Sequence, residues 1–101
     1  MNQKKIDELL AVLDMPEEKQ QMWLIYKQRI EPTESLADLA FKLRDEVIKK
    51  YKGQFNPIDS WVRGIIKVCS KFDWFLYDWN ILAQPIHWII AALVAKEIES
   101  K

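Results

Sequence analysis

Gln84-Pro-Ile-His-Trp-Ile-Ile-Ala-Ala-Leu-Val-Ala-Lys-Glu-Ile98 is the stretch on which the fold turns. Pro85 carries the fixed φ that suits a first helical turn, and every residue from Trp88 to Ala95 is apolar. A helix that is apolar on all sides has to be covered on all sides, so the rest of the chain is expected to pack around it. Extended back to Trp79, the uncharged run reaches 17 residues, the lower edge of what spans a bilayer. Asn80, Gln84, Pro85 and His87 interrupt it and leave the length of a buried core helix, which argues against membrane insertion.

Outward from that segment, the chain divides at proline and glycine signals. Upstream, Asn56-Pro-Ile-Asp59 pairs a cap with a first-turn proline and opens a helix with Trp61, Val62, Ile65, Ile66, Cys69 and Phe72 on its apolar side. Gly64 inside it costs about 1 kcal/mol relative to alanine and marks a close approach by a neighbouring helix. Leu36, Leu39, Ala40, Leu43 and Val47 follow helical spacing most closely. Pro32 precedes that helix, Thr33 or Ser35 can cap it, and Lys49, Lys50, Lys52 and Gly53 suit its end. Its stripe of Leu36, Leu39, Leu43 and Val47 is expected against the final helix. Pro16, Glu17 and Glu18 start a helix running towards Ile30 with Met22, Trp23, Tyr26 and Ile30 apolar, and Ile6, Leu9, Leu10 and Leu13 form a short one before it that stops near Asp14. Residues 73–80 fit either a helix extension or an aromatic loop. The expectation is an all-α single domain over residues 1–101, a compact bundle of about five helices with the apolar C-terminal helix central.

Composition narrows the function classes. Half the residues are hydrophobic and only two are glycine, which supports a packed core over a low-complexity chain. Fifteen basic residues balance fifteen acidic ones, so no overall field draws the chain to nucleic acid or an anionic membrane. Cys69, without a partner in the chain, suits the reducing cytoplasm, and the N-terminal residues lack the apolar core of a signal peptide.

The inventory for catalysis is thin. Cys69 and His87 could form a nucleophile and base, but Cys69 lies on an apolar stripe and no orienting group stands at a recognisable spacing. Asp73 and Asp78 could be paired carboxylates in an apolar cleft; polar tips that keep an aromatic loop soluble explain them more simply. One histidine and one cysteine make no zinc site, and neither glycine sits in a phosphate-binding loop, so no catalytic residue, cofactor or metal is assigned. A small Cys/His enzyme is the third reading.

Binding is better supported. Trp74, Phe75, Tyr77 and Trp79 place four rings within six residues, the residue types that dominate interface hot spots, and they are the candidate partner-binding residues, with Trp74 and Trp79 as anchors. The partner is a protein or a second copy of the chain, as in a homodimer. The runner-up is a nucleic-acid-associated accessory protein that uses Lys49, Lys50 and Lys52, although helix-end dipole matching accounts for those lysines equally well.

Leu36-Ala-Asp-Leu-Ala-Phe-Lys-Leu-Arg-Asp-Glu46 and Ala83-Gln-Pro-Ile-His-Trp-Ile-Ile-Ala-Ala-Leu93, 22 residues together, resemble segments of small phage- or prophage-encoded helical proteins of unknown function. The resemblance implies a source and no mechanism, and neither piece is a catalytic motif. It implies a host-interaction or regulatory accessory role in preference to metabolism.

Overall fold

The apolar segment does form a helix, α6 (Pro85–Glu99), and it is the most deeply covered element of the chain. The computed structural model describes residues 3–31, 35–50 and 57–99 and has no strand among them. The other helices are α1 (Gln3–Val12), α2 (Glu17–Lys27), α3 (Leu36–Lys50), α4 (Pro57–Phe72) and the short α5 (Trp79–Leu82), with one 3₁₀ turn at Leu76–Asp78. The count exceeds five because the aromatic run is neither a continuation of α4 nor a loop. It breaks, turns once and starts a new helix.

Ile89, Ile90, Ala91, Ala92, Val94 and Ala95 are wholly excluded from solvent, and α6 packs against α4, α3 and α1. Burying each of the two isoleucines and the valine contributes roughly 1.5–3 kcal/mol. At 15 residues α6 is about 22 Å long, short of the ~30 Å hydrocarbon layer. No helix among the described residues is long and apolar enough to cross a membrane.

The stripe on α3 faces the core as its spacing implies. Leu39, Ala40, Leu43 and Val47 are buried and Leu36 is half-buried, while Lys96 of α6 pairs with Glu46 of α3 at 2.7 Å. Ser35 serves as the cap: its Oγ lies 3.5 Å from the N–H of Asp38, and its carbonyl accepts from Leu39 at 3.0 Å. Pro32 and Thr33 at this helix's start, Tyr51, Lys52 and Gly53 at its end and the Asn56 cap of α4 lie outside the described residues.

On α4, Gly64 is buried where this helix crosses α6. A Cβ added there would run into the carbonyl oxygen of Ala91, 3.0 Å from its carbonyl carbon and 3.2 Å from the Cβ of Ala95. The glycine therefore lets two backbones meet. The buried face of α4 is Ile65, Val68 and Cys69; Ile66, assigned to that face from the sequence, is exposed because Val68 holds the inward position.

α2 corrects its expected face more sharply. Its fully buried residue is Leu24, whereas Met22 and Tyr26 are exposed. The helix stops at Lys27 because Arg29 takes a left-handed φ of 55° and the N–H of Ile30 turns back to the carbonyl of Leu24 at 3.4 Å. The turn between α1 and α2 is tied to α4 by Lys71, which lies 2.6 Å from Asp14.

Candidate functional site

The aromatic run begins where α4 ends. Asp73 adopts φ 59°, a left-handed conformation that aspartate tolerates better than most side chains, and the N–H of Trp74 then donates to the carbonyl of Cys69 at 2.9 Å. That six-to-one bond closes the helix and sends the chain away from its axis. Trp74 is half-buried, stacked on Phe72 with centroids 4.9 Å apart and set 5.2 Å from His87.

Asp78 organises the next turn. Its carboxylate accepts from the N–H of Phe75 at 3.0 Å, and its own N–H donates to the carbonyl of Phe75 at 3.0 Å. With that turn closed, Trp79 points inward at 3% exposure, packed 5.3 Å from Trp88, which lies 5.3 Å from Trp61. The residues on either side point outward. Phe75 and Tyr77 are each 70% exposed and stacked nearly parallel at 5.9 Å, Ile81 is 78% exposed, and Leu76 and Leu82 are about half exposed.

Of the four rings expected at a partner surface, Phe75 and Tyr77 are thus at the surface. Trp79 is corrected to a core residue, since its indole fills space beside Trp88, and Trp74 is only partly available. Leu76, Ile81 and Leu82 belong to the exposed patch and were missed, because their outward register is fixed by the Asp78 turn and not by periodicity.

The surroundings of Cys69 do not favour a thiolate. Burial pushes the Cys69 thiol above its ordinary range and the charge of Asp78 raises it further, opposite to what a thiolate needs. His87 is held below its usual value by burial, and its Nδ1 accepts the N–H of Gln84 at 3.0 Å. It takes the N3 position of the cap that opens α6, with its ring edge-on to Phe72 at 5.5 Å. Asp73 and Asp78 act on the backbone: one turns the helix end, the other braces the 3₁₀ turn. Among the described residues no three His, Cys, Asp or Glu side chains gather as a metal-holding group. Lys49 and Lys50 are exposed at the end of α3.

Beside the patch, α3 and the start of α6 enclose a pocket of about 250 Å³, lined by Ala37, Ala40, Phe41, Arg44, Ala83, Pro85 and Trp88. It is almost wholly carbon-walled apart from Arg44. That guanidinium lies over the rings of Phe41 at 5.0 Å and Trp61 at 5.9 Å, and one terminal nitrogen pairs with Asp45 at 3.3 Å. The pocket joins residues from two distant stretches, so no local motif could have announced it. No protein family, curated protein or solved structure matches the chain.

Proposed function

We propose that the chain is a small non-enzymatic interaction or regulatory accessory protein of the cytoplasm that binds a protein partner through the surface formed by Phe75, Leu76, Tyr77, Ile81 and Leu82. The observation that carries this reading is the exposure of five large apolar side chains within eight residues, where Leu and Ile at the surface of a monomer are ordinarily scattered singly. The patch is also held in shape before any partner arrives. Trp79 anchors it from below and the Asp78–Phe75 bonds fix its turn, so little conformational entropy is lost when it docks.

The reading extends to a phage or prophage origin on the strength of the two resembling segments. Those segments coincide with most of α3 and α6, the packing helices, and leave the patch itself outside, so they bear on source and not on the partner. A second copy of the chain is the simplest partner, and sedimentation equilibrium over a wide concentration range tests for it. Affinity capture from the native cell tests for any other, comparing wild type with a Phe75→Ser, Tyr77→Ser variant. Both substituted positions are exposed, so the variant should melt as wild type does. A protein retained by wild type and lost by the variant supports the reading; identical recovery by both, with no concentration-dependent mass, refutes it.

A further inference from the structure

We propose that the pocket between α3 and the start of α6 receives one aromatic side chain of the partner, and that a carboxylate beside that side chain pairs with Arg44. This rests on the partner reading above and gives the partner's contact segment a chemistry: acidic and aromatic.

Volume selects the size of the occupant. A cavity of roughly 150 Å³ holds benzene, and typical small-molecule sites run to roughly 300–1,000 Å³. At about 250 Å³ this one has room for a phenyl or indole ring and little more. Its walls suit such a ring, since Phe41, Pro85 and Trp88 offer flat apolar faces and Ala37, Ala40 and Ala83 leave the space open. Phe41 is about half exposed, and Ala83 follows directly on Leu82, so in the chain the pocket begins where the exposed patch ends.

Charge selects what accompanies the ring. Arg44 is two-thirds buried; its Nε is sealed from solvent with no acceptor among the described residues, so the donors left to a partner are those at the terminal nitrogens. Its pairing with Asp45 joins neighbours in sequence, and the Asp45 side chain is more than half exposed, so that pair is weak and leaves donors of the guanidinium to spend elsewhere. The guanidinium lies near the faces of Phe41 and Trp61, at 5.0 and 5.9 Å, and its forked donors favour a two-oxygen acceptor such as a carboxylate. A neutral or basic neighbour would cover Arg44 without satisfying it, so the same feature that attracts an acid rejects the alternatives.

Three capped dipeptides test this on the isotope-labelled full chain: N-acetyl-Asp-Phe-amide, N-acetyl-Lys-Phe-amide and N-acetyl-Asp-Ala-amide, titrated by nuclear magnetic resonance. The Asp-Phe probe is expected to shift the amides of Ala37, Ala40, Phe41 and Ala83 and the Trp88 indole in a saturable way. The Lys-Phe probe should bind about tenfold more weakly, the factor that one lost charged hydrogen bond corresponds to, and Asp-Ala should not saturate. Arg44→Gln should erase the preference between the two Phe probes. Ala37→Leu, at an exposed helical position, should fill the pocket and abolish binding with an unchanged melt. Equal affinity for Asp-Phe and Lys-Phe, or no saturable shift at these residues, overturns the proposal. Capture experiments separate its failure from that of the patch: a partner lost with Phe75→Ser, Tyr77→Ser but kept with both Ala37→Leu and Arg44→Gln leaves the patch standing and removes the pocket.

Discussion

Replacing Gly64 by alanine sets two effects of opposite sign against each other. In an isolated helix the change is favourable by about 1 kcal/mol, because glycine has the greater backbone freedom to lose. In this protein the new methyl would meet the carbonyl oxygen of Ala91 well inside contact distance, along with its carbonyl carbon and the Cβ of Ala95. Overpacking of a core ordinarily costs about 1–3 kcal/mol, and the upper end applies because the obstruction is main chain, which has no alternative rotamer. The helices must move apart instead, along the contact between the two most closely packed elements. The net loss is then about 2 kcal/mol, against a total stability on the order of 5–15 kcal/mol, and corresponds to a melting temperature lower by roughly 8–16 °C. Thermal and urea melts followed by circular dichroism measure it, with Ser70→Ala on the exposed face of α4 as a control that raises helix propensity without touching α6. Adding Ala95→Gly should not restore stability, because it removes the lesser obstruction and leaves the carbonyl of Ala91 in place. A Gly64→Ala protein that melts at or above wild type would show that α4 and α6 do not approach this closely.

Leu39→Asp puts a carboxylate where a buried leucine faces α6, at a cost of at least about 4 kcal/mol, and should abolish the cooperative urea melt; an unchanged midpoint would refute the placement of α3. Cys69 should react slowly with a thiol reagent in the native protein and quickly in denaturant, since burial and Asp78 both hold it protonated; rapid native labelling would contradict the core position. The folded chain resists the proton that an unfolded His87 accepts, so this residue's contribution to stability is present above its ordinary value of 6.5 and is lost as pH falls through the lowered folded value. Urea midpoints should therefore fall between about pH 7.5 and about pH 5 by more in wild type than in His87→Gln, whose amide oxygen can still accept from Gln84 and does not titrate. Equal slopes would refute the burial of the ring.

Elements whose apolar residues stand apart were legible in the sequence. Leu39, Leu43 and Val47 allow one helical register, and a glycine inside so apolar a helix as α4 has few uses besides close approach. Where apolar residues are consecutive, the register is ambiguous. Met22 to Tyr26 is an unbroken apolar run, and only tertiary packing selects Leu24 as its buried member; the neighbours Ile65 and Ile66 on α4 pose the same problem. The aromatic run hid its register in another way, since which rings face outward depends on a left-handed aspartate and a side-chain bond to the backbone. Asp73 and Asp78 carried that signal, because aspartate favours both roles. The pocket had no local signature, as Ala40 and Trp88 meet only once α3 and α6 have docked.

The contact of Trp88 with both Trp61 and Trp79 has an optical consequence. Three indoles held in a chain at 5.3 Å couple their transitions, so the native protein should show near-ultraviolet circular dichroism of a size that separate tryptophans do not give. That signal vanishes when side-chain packing loosens, even if the helices persist, and so distinguishes a native variant from a molten one. Trp88 also forms a wall of the pocket, and an aromatic guest stacking on it would disturb the coupling of all three rings. The chain thus carries its own reporter of occupancy and needs no dye.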